Sequence, residues 1–345
     1  MARRLLPEWA PQSGVMLSWP DPDTDWGPRL HAVEPVFLAI ARAISRFEAL
    51  LICVRPQREA YLRQVLDQAG LAQAPIRLFA VDYDDTWTRD YGPVSVSEQG
   101  RPLLLDFRFD GWGGKYPATR DDAVNRALHA AGLFGDTPLR SLPLVLEGGS
   151  IDGDGEGSLL TTRRCLCQAG RNPGLDQATL AAELKRHLGV ERIFWLEHGR
   201  LEGDDTDGHI DTLARFCDPA TIAYQHCDDP HDSHYAELQA MAAELARLRR
   251  ANGRPYRLVP LPWPAPCYDS HGRRLPASYA NFLIINGAVL LPSYRSPASD
   301  RLAAERLAAC FPDREIIAID GLPLIEQNGS LHCLTMQFAA GVYRP

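Results

Sequence analysis

The sequence predicts an α/β protein built as a ring of five repeated units, and three observations predict it. Helix-like segments near 57–69, 120–132, 177–188, 232–249 and 299–310 are each followed within a few residues by a β-rich run. Those runs begin roughly 50 to 65 residues apart, a spacing that marks repeated supersecondary units. Hairpin-like strand pairs, such as 93–96 with 103–107, lie between them. A parallel doubly wound sheet competes, since strand and helix patterns alternate here too. The hairpins, and the lack of a G-x-G-x-x-G opening a helix, argue against it.

Taken in order, 14–20 reads as a strand, 32–47 has helical periodicity, and 50–54 is a second strand. The five later runs are 76–81, 142–146, 192–196, 256–261 and 314–319, and the N-terminal segment is expected to complete the last unit. If like strands point toward one axis, the loops at their equivalent ends converge on one site. No Pro/Gly/Ser-rich linker divides the chain, so 1–345 reads as one domain.

Of the 345 residues, 45% are apolar and 23% charged, ordinary values for a globular chain. The net charge of -8 argues against a nucleic-acid surface and favours a cationic small partner. Met1 to Trp9 has no apolar run fit for a signal segment, and no stretch approaches a membrane span. A cytoplasmic setting follows as the expectation, with the eight cysteines as free thiols.

The unusual residues fall in the loops after the strands. Cys333 sits in a short polar turn, Asn328-Gly329-Ser330-Leu331-His332, that runs into a strand-like stretch, where a thiol is held by rigid backbone yet stays reachable. Free cysteine is also commonly a small buried hydrophobe. The stretch Asp84-Asp85-Thr86-Trp87-Thr88-Arg89-Asp90-Tyr91 combines three acids with two aromatics, suited to gripping a planar cation in plane and covering its face; a solvated turn with a local Arg–Asp pair is the plainer reading. Glu147 precedes Gly148-Gly149, which let backbone approach closely. His209 and Asp211, two apart, would share one face of a strand, giving a base beside a carboxylate.

His-x-Asp can also ligate a metal, but no dependable third and fourth ligand accompany it. The 152–157 run is not an EF-hand, because Arg163 stands where a bidentate Glu is needed; it reads as a hairpin turn. Cys165-x-Cys167 is too close for a zinc knuckle and reads as a strand with both thiols on one face. His226 to His234 reads as the start of the 232–249 helix, and Trp263 as aromatic walling.

Four ordered motifs, Trp87-Thr88-Arg89-Asp90-Tyr91-Gly92-Pro93, Glu147-Gly148-Gly149-Ser150, Gly208-His209-Ile210-Asp211 and His332-Cys333, resemble the agmatine deiminase family, guanidine-modifying enzymes related to bacterial peptidylarginine deiminases. Pro7-Glu8-Trp9, Trp112-Gly113-Gly114-Lys115 and Asn281-Phe282 extend the resemblance over nearly the whole chain. It implies a five-bladed α/β propeller (pentein) of ββαβ units. It also implies that Asp90 and Asp211 bind a guanidinium, that Cys333 attacks it, that His209 moves the protons and that Glu147 orients His209 or substrate, with Asp205, Trp87 and Trp112 as further substrate contacts. The implied reaction is agmatine to N-carbamoylputrescine and ammonia through a covalent thiouronium, with no metal and no cofactor.

The partner is then a small guanidine, not a nucleic acid or a membrane; a homodimer is an open possibility for the assembly. Two departures bear on the substrate: Gln327-Asn328-Gly329-Ser330 replaces a glycine run, and Asp205 stands where the family carries Glu. Free or C-terminal peptidyl arginine is the alternative, and it would call on Arg89, Lys115 or Arg295 for the substrate carboxylate. An amidinotransferase lacks a marked acceptor site, and a non-catalytic guanidine-binding module would not need Cys333 and His209 together.

Overall fold

The computed structural model describes residues 3–343. Met1 and Ala2, where the stretch read for a signal segment begins, lie outside the described residues. Five sheets repeat one order of elements: an antiparallel hairpin, a helix, and a strand added in parallel. Val94–Glu98 turns back on Arg101–Arg108, and Leu139–Val145 joins it after helix Asp121–Ala130. Ile151–Gly153 and Ser158–Thr162 are followed by helix Gln177–Leu188 and strand Arg192–Leu196. Ala214–Asp218 and Thr221–Gln225 take Arg257–Leu261 after helix Tyr235–Leu245. Leu283–Ile285 and Ala288–Ser293 take Glu315–Asp320 after helix Pro297–Cys310.

In the fifth sheet the C-terminal strand Thr335–Ala339 pairs antiparallel with Gln12–Ser18. Leu50–Val54 and Ile76–Ala80 extend it in parallel. The two ends of the chain thus share a sheet, as the sequence reading expects.

Burial explains the composition of the strands. Middle strands such as Leu50–Val54 and Thr221–Gln225 are buried throughout, the environment that favours continuous apolar runs, whereas the outer strands Ile76–Ala80 and Arg192–Leu196 are only half-buried. The helices cover the sheets with one apolar stripe each: Val33, Phe37, Ile40 and Ile44 recur at helical spacing on Leu30–Ile44. Helix Gln177–Leu188 is delimited by sequence. Asp176 accepts the Thr179 N–H at 2.8 Å, and Gly189 closes the last turn at φ 69°, a left-handed conformation that suits glycine.

Two readings of local structure need correction. Cys165 and Cys167 lie on and just after the helical turn Arg163–Leu166, not on a strand, because the Thr162 hydroxyl caps that turn by accepting the Cys165 N–H. The 232–249 helix is shorter, Tyr235–Leu245, since Asp232 is spent on the preceding turn, accepting the His234 N–H at 3.0 Å. Among the described residues, no helix is long and apolar enough to cross a membrane.

Candidate active site

Each connection from the outer strand of one sheet to the first strand of the next carries a polar residue to one place. The five connections bring Asp90, Glu147, the His209–Asp211 pair, Asn281 and Cys333 together. The polypeptide is held there by backbone: the Arg89 N–H donates to the Cys333 carbonyl at 3.0 Å, which ties the short helix Thr88–Tyr91 to the Cys333 loop. The Gly148-Gly149 pair allows the closest approach. A Cβ on Gly149 would lie 2.6 Å from His209 Nδ1 and 2.8 Å from Asp90 Oδ1, so only hydrogen fits.

His209 and Asp211 do not share a strand. His209 precedes a single 3₁₀ turn, Ile210–Thr212, and the turn brings both side chains into the site. Asp207 and Gly208 both adopt positive φ just before it, and Asp204 folds this loop by accepting the Thr206 and Gly208 N–H groups.

The thiol of Cys333 accepts from Asn281 Nδ2 at 3.2 Å and lies 3.6 Å from Asp211 Oδ2. Burial, with Asp211 and Asp90 adding, pushes this thiol well above its ordinary range. Asp90 accepts the Trp112 indole N–H at 2.9 Å and the Gly149 N–H at 3.0 Å. Burial and the neighbouring Asp211 raise it well above the carboxylate range. Burial would raise Asp211 as well, but His332, donating from Nδ1 at 2.7 Å, draws it below the usual value. Burial, with Arg171 adding, depresses His209 to about 3 although Asp211 pulls the other way, so its imidazole is neutral. Glu147 is buried, pushed upward by desolvation, and accepts from Arg171 Nε at 2.8 Å.

Four polar atoms here are buried without a protein partner among the described residues: Asp211 Oδ1, Glu147 Oε2 and both ring nitrogens of His209. With His209 neutral these are three acceptors and one donor, and since an unsatisfied buried polar atom costs roughly 1–3 kcal/mol, the set favours a guest rich in N–H donors. A metal is a poor guest. Glu147, Cys165 and His209 have ligand atoms within 4.8 Å of one another, but the Arg171 guanidinium already binds Glu147 and lies against Cys165, supplying the positive charge.

Cys333, Asp90, Trp87 and Trp112, all buried, line the deep part of a cleft of about 140 Å³, and the more exposed Asp205, Asp85, Asp25 and Tyr116 line the rest. Asp205 Oδ2 accepts from Tyr116 Oη and Asn328 Nδ2, each at 2.9 Å, so the two departures from the family's pattern touch each other. None of the three cations read for an arginine carboxylate lines the cleft, although Lys115 reaches the backbone carbonyl of Asp205 at its rim. Arg89 is buried on His332 O and Gln337, Arg295 pairs with Asp320, and Lys115 pairs with Asp207 at 2.8 Å. Trp263 is also away from the cleft, donating to Asp232. Sequence reasoning missed Arg171, Asn281 and the Glu8–His332 contact at 2.8 Å. Arg171 follows a Gln-Ala-Gly stretch that resembles a surface loop, and nothing local marks it as buried.

A reactive-type residue set at the base of an acidic cleft, on an α/β scaffold of five repeated sheets, defines an enzyme. The chain belongs to the Porphyromonas-type peptidyl-arginine deiminase family, whose model matches residues 4–339. It is 35% identical to the agmatine deiminase of Stutzerimonas stutzeri (strain A1501), over 98% of this chain and 95% of that protein. A structure of a candidate arginine deiminase from Porphyromonas gingivalis is 49% identical, with a TM-score of 0.92 over 99% of this chain and 100% of the other. The agmatine deiminase of C. jejuni with substrate bound is 37% identical, with a TM-score of 0.91 over 99% and 97%.

Proposed function

We propose that this chain hydrolyses agmatine to N-carbamoylputrescine and ammonia, on a five-bladed α/β propeller that occupies the chain as one domain. The observation that carries the substrate is the charge of the cleft. Its lining includes Asp25 and Asp205 toward the opening, with Asp90 and Asp85 raised by burial and Glu326 paired with Arg29, and no Lys or Arg among the described residues. A guanidine with a distal ammonium meets carboxylates at both ends, whereas free arginine brings its own carboxylate against Asp205 and Asp85. The likeness to the P. gingivalis structure is what favours arginine as the second reading.

In this reading Asp90 and Asp211 take the guanidinium N–H groups, with Trp87 and Trp112 as walls, and set its carbon beside the Cys333 sulfur. Burial first and the field of Asp211 second keep the thiol protonated, and the bound cation offsets that field. The thiol proton passes to neutral His209, and sulfur bonds to the guanidinium carbon. Attack neutralises the guanidinium charge, so the carboxylates then favour the imidazolium that has formed. His209 returns the proton to the departing nitrogen, ammonia leaves, and a thiouronium remains on Cys333. Water gives one proton to His209 and attacks the same carbon; as the carbon–sulfur bond breaks the thiolate takes back the proton from His209, and the remaining hydroxyl proton leaves to solvent as the ureido carbonyl forms. Glu147 holds the imidazole side of the site through Arg171, and no step calls on a metal or cofactor.

The test is ammonia release from agmatine, arginine and a C-terminal arginyl peptide, with Cys333→Ala beside wild type. Agmatine turnover lost in the variant by about four orders of magnitude or more supports the reading. Arginine turnover would keep the chemistry and overturn the substrate. No ammonia from any of them would favour a binding module.

A further inference from the structure

We propose that Glu8 and His332 are positioning residues for Asp211, so that the segment before the first long strand, through one imidazole, fixes the carboxylate facing Cys333. The inference rests on the guanidinium-binding role given to Asp211 above. His332 Nδ1 lies 2.7 Å from Asp211 Oδ2, and its Nε2 lies 2.8 Å from Glu8 Oε2. A neutral imidazole has one donor and one acceptor; with a carboxylate oxygen at each nitrogen, only the doubly protonated ring satisfies both contacts. That ring places a positive charge directly behind Asp211.

The ring cannot swing away. The His332 N–H donates to Asn281 Oδ1 at 3.0 Å, and its carbonyl accepts from Arg89 Nε at 3.3 Å. Glu8 is fixed in turn by Arg215 Nη2 at 2.8 Å and the Ile284 N–H at 2.7 Å, and Arg215 reaches on to Asp152 at 3.2 Å. Glu8, His332, Asp211 and Arg215 are all at least nine-tenths buried, so solvent does not screen the chain. Burial would raise the Glu8 carboxyl, yet Arg215 and His332 hold it well below the usual range. Asp211 is faced by His332, Cys333, His209, Asp90, Arg215 and Arg89; among these His332 alone is within hydrogen-bond distance of its carboxylate, apart from the long contact with the Cys333 thiol.

The test measures kcat/KM for agmatine against pH in wild type, His332→Gln and Glu8→Gln, with melting temperatures alongside. The same two changes in a Cys333→Ala background are titrated with guanidinium chloride. Expected is a loss of about tenfold to a hundredfold in kcat/KM for His332→Gln, the value of a hydrogen bond to a charged group. The acid limb of its profile should move to higher pH, because Asp211 becomes easier to protonate, and guanidinium binding should weaken in parallel. Glu8→Gln should move both readouts the same way by less, and it carries the test if His332→Gln does not fold. An unchanged acid limb, or losses that follow the folded fraction alone, would overturn the proposal. Wild type silent on every guanidine, with guanidinium binding still weakened by His332→Gln, would remove the proposed function and leave this inference. Neither turnover nor guanidinium binding would remove both.

Discussion

The site holds two carboxylate–imidazole pairs that behave in opposite ways. Asp90 Oδ1 lies 3.6 Å from His209 Nδ1, and Asp211 Oδ2 lies 2.7 Å from His332 Nδ1. All four groups are buried, so desolvation alone would make all four neutral. It does so on the Asp90 side, where the carboxyl is raised and the imidazole is depressed. The third groups make the difference. Asp90 receives neutral donors, Trp112 and Gly149, while Arg171 opposes a charge on His209. Behind His332 stands the Glu8 carboxylate, which accepts its second N–H, and Asp211 is drawn down. One pair leaves a neutral imidazole 3.6 Å from its carboxyl and free to take up a proton, and the other is hydrogen-bonded at 2.7 Å and fixed. A hydrolysis that must move a proton twice and hold a cation still needs one of each.

The largest expected effect tests the neutral pair through stability. An unfolded imidazole titrates near 6.5, and His209 in the fold near 3. Between those values the unfolded chain binds more protons, so this contribution is complete above pH 6.5 and is lost as pH falls toward 3. Its full size is of order 5 kcal/mol. Chemical denaturation of wild type and His209→Asn at several pH values in that window should show a shallower loss in the variant. Parallel curves would place the charge change elsewhere.

Replacing each carboxylate separates the pairs next. Asp211→Asn removes the resting anion and leaves the His332 N–H facing an amide, and kcat/KM is expected to fall about a thousandfold. Asp90→Asn removes a carboxyl that is neutral at rest and should fall by less. Calorimetry with guanidinium, in buffers of different ionisation enthalpy and a Cys333→Ala background, should show proton release on binding, which Asp90→Asn abolishes and Asp211→Asn retains. Release lost from both would mean that the two carboxyls share one proton and titrate as a unit.

Gly149→Ala strikes where the two pairs meet, since its Cβ would lie 2.6 Å from His209 Nδ1 and 3.1 Å from Asp211 Oδ2. A displacement of that kind is expected to lower kcat about a hundredfold with little change in the melting temperature. A large fall in melting temperature instead would make the glycine's role one of folding.

The neutral pair was more legible than the charged one. Helix-strand spacing and hairpins placed the five units, and the acids, histidine and cysteine stood out because each lies at a strand end among turn residues. His209 and Asp211 were found for a partly wrong reason, since a 3₁₀ turn and not a strand aims them. Asn281 sits alone in the fourth connection, and Glu8 lies 324 residues from the imidazole it holds. Glu8, Asn281 and His332 all lie in motifs of the resemblance, but their meeting is set by burial and charge balance in the folded core, which those motifs do not state.

The smallest expected effect lies at the open end of the cleft, where Asp205 is half-buried and the contrast between the pairs fades into solvent. Tyr116 and Asn328 hold one carboxylate oxygen, and Lys115 binds the backbone carbonyl of Asp205 and the side chain of Asp207, so the loop is fixed with Asp205 lining the cleft. Asn328 reaches it from a left-handed backbone, φ 70°, a conformation asparagine tolerates better than most residues. Asp205→Asn keeps the shape and removes the charge, so KM for agmatine should rise about tenfold with kcat nearly unchanged, because the ammonium lies far from the reacting carbon and binds equally in ground and transition states. A fall in kcat of the same size would mean that the amine contact positions the guanidinium for attack, and that the open end is coupled to the buried pairs behind it.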